Sequence, residues 1–441
     1  MKKLKYLFYL VLVVLVVVIY VNYPKLNILS GYSAKSMASS VFVAKRGVAF
    51  TDSTDNNFSP VNLAKDFVDF TEKTASASSL GILTRKAIYR EGLGAVLVPK
   101  GYKTTKSYLT PNRNNSSNES TFPFGNGDPK DSVFSNIDYI NLKKVVDNHF
   151  NSNFKTRAVL VVYKDHIIAE KYANGFDENS KFLGWSMTKS IMSTVFGILQ
   201  HKGLLSVKEQ APISDWENDD RRQITIHNLL QMNSGLEWDE DYETISDVNK
   251  MLFLDEDMSK AQKDKKLVGS PNELWNYSSG TSNLLSKILR YKLGSEQEYL
   301  DFWYRELIDK IGMNSMILEA DLAGNYVASS YSWASARDWA KFGMLYEREG
   351  NWNGEQIFSK DWDDYVVTPT PTSDGQYGAQ FWLNSKSMMP DVPSSMYFAN
   401  GHDGQRVFIL PEQDLVVVRL GLNGDFSNND FLKGILESIE D

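Results

Sequence analysis

The chain has no cysteine. That excludes disulfides, thiolate nucleophiles and every cysteine-ligated zinc site. Histidine is scarce: His149, His166, His201, His227 and His402 are the five present, and they fall in no HExxH or similar ligand spacing. The sequence therefore calls for no metal and no other cofactor. A basic footprint of the kind nucleic acid requires is also missing, since 47 Lys and Arg face 55 Asp and Glu for a formal net charge of -8. What is present is a chain of 441 residues, 42% of them hydrophobic, enough for two or three domains with a sizeable core.

The N-terminus is the most apolar part. MKKLKYLFYLVLVVLVVVIYVNYPK opens with Lys2, Lys3 and Lys5 and continues almost unbroken from Tyr6 to Val21. The run is near the lower limit of a membrane span, roughly 17–25 residues, and longer than a signal-peptide core of roughly 7–15. Positive residues before it place the N-terminus in the cytoplasm and the remainder of the chain on the far side of the membrane. Residues 1–24 are thus expected to be a signal-anchor or a signal peptide. No small-x-small site directly follows Val21, although GYSAKSMASS (31–40) could hold one. The chain is expected to be exported, either membrane-anchored or periplasmic or extracellular in a bacterium.

Residues 25–135 read as an N-terminal extension and linker of unknown role. ASSVFVAKRGVAF (38–50) and LGILTRKAIYREGLGAVLVP (80–99) look structured, the second as strands. Residues 101–131 are rich in Asn, Ser, Thr, Pro and Gly and mark a linker or long loop. From 136 to 441 the pattern becomes dense. RAVLVVYKDHIIAEKYANG (157–175) reads as a hairpin, SMYFANGHDGQRVFILPEQDLVVVRLG (395–421) as two or three antiparallel strands. Helical periodicity covers 137–150, 187–201, 224–236, 281–294, 335–350 and 428–439, and the acidic stretch 237–265 reads as solvated loop and helix. The expectation is a mixed α/β domain whose terminal strands share one antiparallel sheet.

GWSMTKSIMSTVFGILQ (184–200) carries the first chemistry. Positions three apart on a helix share a face, so Ser186 at the helix start has Lys189 within reach. The free N–H groups and partial positive charge of the helix start stabilise an oxyanion. A lysine that is to act as a base at neutral pH must be desolvated or crowded by positive character, which a buried helix start supplies. The plain alternative is that Ser186 caps the helix and Lys189 is a solvated first-turn residue. A second Ser-x-x-Lys, Ser152 to Lys155, sits in a polar stretch and opens no apolar helix.

Two more stretches add to this. WNYSSGTSNLLSKIL (275–289) places Tyr277 before a Ser/Gly turn and a helix, where a phenol could relay a proton. ANGHDGQRVFIL (399–410) puts His402-Asp403-Gly404 at the start of a strand. Gly404 permits close backbone approach, and the Gln405 N–H is a candidate second oxyanion donor beside that of Ser186.

In order and spacing, these motifs resemble the serine β-lactamase and penicillin-binding-protein superfamily, in its class C-like branch. That branch includes esterases, D-amino-acid peptidases and 6-aminohexanoate-dimer hydrolases. Ser186-Met187-Thr188-Lys189 is similar to the family's first motif, Tyr277-Ser278-Ser279 to its Tyr-x-Asn motif, and His402-Asp403-Gly404 stands in the place of Lys-Thr-Gly. The resemblance covers about 136–441. It implies an antiparallel sheet flanked by helices, with an all-helical subdomain inserted at roughly 205–330 and the site at their junction.

Two departures bear on the substrate. Ser279 replaces the asparagine that binds a β-lactam's amide, and His402 replaces the permanently charged lysine that would hold its carboxylate. Both argue for an ester or small-amide substrate, with His402, Gly404 and Ser279 lining its pocket. The resemblance implies Ser186 as nucleophile, Lys189 and Tyr277 as base and proton relay, and water to release the acyl group. Two other readings stay open: a D,D-peptidase acting on peptidoglycan, and a non-catalytic membrane-tethered binding protein on the same fold. The sequence gives no sign of oligomeric state.

Overall fold

The computed structural model describes residues 2–103, 107–114, 120–130, 132–151, 153–385 and 388–440. They divide into two compact units. One takes in 1–90, 94–106 and 239–256; the other takes in 91–93, 107–238 and 257–441. Residues 239–256, inside the stretch read as a helical subdomain, therefore group with the first unit.

The first unit is built on α1, a single helix from Lys2 to Phe42. Its window Lys3–Tyr20 has a mean hydropathy of 2.2 and none of it is buried. Pro24, which has no N–H for the helix ladder, sits between this stretch and a second half of different character. There Ser30, Ser33, Ala34, Met37, Ala38 and Val41 are buried against an antiparallel sheet of β1 (Ala64–Asp69), β2 (Thr74–Ser79), β3 (Leu83–Arg90) and β4 (Gly94–Val98), paired in that order. Ala75, Ala77, Ala87 and Ala95 form the face beneath the helix, and small side chains on both partners let helix and sheet approach closely. β3 and β4 fall where strands were expected. β1 and β2 were not foreseen, because TASASS has none of the bulky β-branched pattern that marks a strand. The 38–50 piece is the end of α1 and a short helix, Val48–Ser53. In the acidic stretch, a helix at Asp247–Leu254 buries Val248, Met251, Leu252 and Phe253 and packs on α1.

The second unit holds a six-stranded antiparallel sheet. The sheet strands and the helices that frame the site are, in chain order, α2 (Tyr139–His149), β5 (Thr156–Tyr163), β6 (His166–Tyr172), α3 (Met187–His201), α4 (Ser279–Leu293), α5 (Ala336–Glu347), β7 (Trp382–Leu383), β8 (Tyr397–Gly401), β9 (Gln405–Leu410), β10 (Leu415–Gly421) and α6 (Asn428–Leu436). The sheet order is β7-β8-β9-β10-β5-β6, so the opening hairpin pairs with the last strand, Val161 opposite Val417. β5 and β10 are continuous apolar runs because both faces are covered. Leu160, Val162, Val407, Val416 and Val418 join the core with α3 and α5. Their alternates Val159, Val161, Phe408 and Val417 pack on Leu142, Val146, Phe431 and Leu432 of α2 and α6. Each such side chain contributes about 1.5–3 kcal/mol. This sandwiched sheet is the scaffold on which α3 is laid, and α3 is itself buried along nearly its whole length.

Candidate active site

The chain enters α3 through a strained turn. Phe182–Leu183 pairs with Ser332–Ala334, and the Gly184 N–H donates to the Ser332 carbonyl at 2.7 Å. Trp185 then takes a left-handed φ of 47°, a conformation that costs a tryptophan about 1–3 kcal/mol and is held by its surroundings. Ser186 comes next in right-handed helical geometry, and its side chain makes no capping hydrogen bond. The N–H groups of Met187, Thr188 and Lys189 return to the carbonyls of Gly184, Trp185 and Ser186. The helix therefore closes without the Ser186 hydroxyl.

That hydroxyl meets Lys189 instead. Lys189 is 1% exposed, and its amine lies 3.0 Å from Ser186 Oγ, 3.0 Å from Ser279 Oγ and 2.9 Å from the Ser329 carbonyl. An ammonium donates three protons, whereas an uncharged amine donates two and accepts one. The Ser329 carbonyl can only accept, while either hydroxyl can give. An uncharged Lys189 thus has the Ser186 proton directly within reach.

Three elements converge on this amine. Ser278 caps α4, its Oγ accepting from the Thr281 N–H at 3.0 Å, so Ser279 enters at the first turn. Tyr277, just before it and half-buried, places its ring 5.0 Å from the Lys189 amine and packs against Tyr377 and Trp382 at 5.8 and 5.5 Å. The strip 329–332, which no motif singles out, supplies the Ser329 carbonyl and the Ser332 hydroxyl, 2.6 Å from Thr188 Oγ1. Ser329 is itself fixed by α4, its N–H donating to Asn283 Oδ1 at 3.1 Å.

The His-Asp-Gly turn joins β8 to β9, with Gly401 opposite Gln405. A Cβ on Gly401 would lie 2.3 Å from the Gly184 carbonyl, so only glycine lets this strand end touch the start of α3. Gly404 has φ +77°, and a Cβ there would meet Arg419 Nη1 at 2.5 Å. His402 is exposed and sets its ring edge-on to Trp185 at 5.7 Å, next to the serine; Asp403 Oδ1 lies 3.4 Å from its Nε2.

The Gln405 N–H, expected as the second oxyanion donor, turns toward the His402 carbonyl across the tight turn. Its side chain is a staple: Nε2 donates to the Gly421 carbonyl at 2.6 Å, and Oε1 accepts from the Gly421 N–H at 3.1 Å. The second Ser-x-x-Lys cannot be compared, because Ser152 lies outside the described residues.

Arg419 completes the turn and was not anticipated. Its fully buried guanidinium donates through Nη1 to the carbonyls of Asp403 and Gly404 at 3.0 and 3.1 Å. Through Nη2 it donates to the Phe154 carbonyl and Thr156 Oγ1 at 2.5 and 2.9 Å. Burial, with Arg406 nearby, pushes its pKa down to about 9, which leaves it charged at neutral pH. The signal was there in LVVVRLG, a charge inside an apolar strand. Among the described residues, no group of three His, Asp or Glu side chains is placed to hold a metal ion.

The sequence matches the Beta-lactamase family over residues 144–433, a span that contains all three motifs. The chain belongs to the beta-lactamase family. Solved structures carry the same fold. A candidate 6-aminohexanoate-dimer hydrolase from Bacillus anthracis is 21% identical with a TM-score of 0.56, over 67% of this chain and 80% of that one. A candidate beta-lactamase from Bacteroides dorei is 13% identical with a TM-score of 0.57, over 68% and 98%. A family VIII carboxylesterase is 13% identical with a TM-score of 0.54, over 71% and 99%. The likeness of this beta-lactamase-family chain to them is one of fold.

Proposed function

We propose that this beta-lactamase-family hydrolase is an exported, membrane-anchored serine hydrolase that cleaves an ester or small amide through an acyl-enzyme on Ser186. The observation that carries the reading is the Lys189 amine, buried and 3.0 Å from a Ser186 hydroxyl that caps nothing.

Uncharged Lys189 takes the Ser186 proton as Oγ adds to the substrate carbonyl. The Ser186 N–H at the start of α3 faces the developing oxyanion, and the helix dipole favours that charge. The Gln405 N–H, at the start of β9, is the second donor of this reading. Tyr277, packed against the amine, relays a proton to the leaving alcohol or amine. Water then attacks the acyl-enzyme by the reverse route. His402 and Ser279 carry the preference away from β-lactams, since neither supplies the fixed charge or the amide that such a substrate needs. Its structural neighbours include a carboxylesterase, a candidate 6-aminohexanoate-dimer hydrolase and a candidate beta-lactamase, so the preference rests on His402 and Ser279 alone.

The anchor rests on α1. Lys3–Tyr20 is long and apolar enough to span a membrane. GYSAKSMASS, where a cleavage site could have lain, is instead buried helix beneath the β1–β4 sheet. Cutting there would strip that sheet of its cover, so retention is favoured.

The test is a fluorophosphonate probe together with p-nitrophenyl butyrate. The native protein is expected to label and turn over, and Ser186→Ala to do neither. Undiminished labelling of Ser186→Ala would reject the assignment.

A further inference from the structure

The first unit carries apolar side chains that neither its core nor the proposed reaction uses. Most telling is the tip of the β2–β3 hairpin. The ladder closes at Ser79 opposite Leu83, leaving Leu80, Gly81 and Ile82 as the turn. Leu80 is 63% and Ile82 70% exposed, and Leu80 adopts φ +52° beside Gly81 at +69°. A left-handed leucine is uncommon, since Gly or Asn fits such a turn without strain. An exposed, strained, apolar tip asks for an apolar environment.

Its place on α1 says which one. Ser30 Oγ lies 2.6 Å from Ser79 Oγ and donates to the Leu83 carbonyl at 2.8 Å, while Arg85 Nη1 donates to Asn27 Oδ1 at 2.5 Å. At the other end of the hairpin, Tyr89 packs on Phe42 at 5.8 Å. The hairpin therefore runs along α1 from Phe42 back toward Asn27, and its tip points at the exposed apolar stretch. At 1.5 Å per helical residue, Ser30, level with the last pair of the ladder, stands about 15 Å beyond Tyr20. The turn, at about 3.3 Å per extended residue, projects about 5–7 Å back along that distance and ends short of the apolar stretch. Leu63, 55% exposed, lies next to Ala64, which pairs with Ser79, and so sits at the same end. Lys25 and Lys65 are exposed there as well, whereas the opposite end of the sheet carries Asp69 and Glu72 together with Lys73.

We infer that the Leu80-Gly81-Ile82 tip, with Leu63, dips into the headgroup layer of the bilayer that α1 spans. The unit is then held to the lipid surface at two points rather than swinging on one helix. The basic residues at this end favour an anionic surface. The inference rests on the anchor proposed above and adds a second lipid contact to it.

The absence of cysteine allows single thiols to be placed at will. Full-length protein carrying Ile82→Cys, Leu12→Cys or Thr71→Cys is labelled with a polarity-sensitive fluorophore and reconstituted in phosphatidylethanolamine–phosphatidylglycerol vesicles. Spin-labelled lipids then quench by depth. Leu12 should be quenched by deep labels, Ile82 by headgroup-level labels with a blue-shifted emission, and Thr71, at the far turn, by neither. A water-like, unquenched Ile82 beside a quenched Leu12 overturns the tip contact and leaves the anchor standing. An unquenched Leu12 overturns both. A blue-shifted Ile82 that no lipid label quenches points to a protein partner and equally overturns the proposal.

Discussion

The Lys189 amine and the Ser279 hydroxyl meet at 3.0 Å across 90 positions of sequence. The Ser329 carbonyl and Ser186 Oγ lie against the same amine at 2.9 and 3.0 Å. Ser279→Ala leaves a buried amine one partner short, a loss of about 1–3 kcal/mol. The expected fall in kcat/KM for p-nitrophenyl butyrate is thus about 10- to 100-fold. An unchanged kcat/KM would remove Ser279 from the site.

Arg419 governs the opposite wall. Its Nη atoms serve four acceptors, two of them carbonyls of the His-Asp-Gly turn. Arg419→Met leaves those neutral acceptors unpaired in the core, at about 1–3 kcal/mol for a group left unsatisfied, and is expected to be destabilising. Arg419→Lys keeps the charge but loses the planar fork, so it should recover only part of the denaturant midpoint. Fluorophosphonate labelling, measured where both variants stay folded, is expected to slow with the turn's disorder. Full-rate labelling would make Arg419 structural only.

Much of this was legible in the chain because the relevant signals are local. α3 begins and ends where the apolar run does, and β5 and β10 announce themselves as VLVV and LVVV. Ser186 and Lys189 could be picked out by type and spacing, Ser279 and His402 by resemblance; the Lys189 amine lies 3.0 Å from both Ser186 Oγ and Ser279 Oγ, while His402 sits against Trp185. What escaped depends on tertiary placement. The Ser329 carbonyl carries no side-chain signature. The Gln405 side chain, which staples the turn to Gly421, likewise shows only once β9 and β10 are paired. β1 and β2 are strands because a helix of small residues covers them, which their own composition does not reveal.

Gly401 offers a separate test of geometry. A Cβ there meets the Gly184 carbonyl at 2.3 Å, so Gly401→Ala must push the β8–β9 turn off the start of α3. A shift of order 1 Å at a site can cost about 100-fold in rate. Gly203, which ends α3 at φ +68° with no atom near its Cβ position, provides the comparison. Gly203→Ala should destabilise by about 1 kcal/mol and leave kcat/KM within about twofold of native, a difference worth under 0.5 kcal/mol. Equal activity losses in both variants would contradict a specific role for the Gly401 contact.

Asp321 should make stability depend on pH in an unusual direction. It is 2% exposed and accepts from the N–H groups of Asn325 and Met258 at 2.8 and 3.1 Å. Burial, with Asp257 nearby, nevertheless raises its pKa from 3.8 to about 6. Between those values the native state holds a proton that the unfolded chain releases. Its contribution is therefore complete below about pH 4 and is lost as pH rises through 6, by on the order of 2–3 kcal/mol. Asp321→Asn cannot titrate; it carries a constant offset from its altered hydrogen bonds. The free-energy gap between native and variant, read from denaturant midpoints, should move in favour of the variant between pH 4 and pH 7. A gap that stays flat over that range would mean Asp321 ionises as an ordinary carboxylate, with its N–H donors outweighing burial.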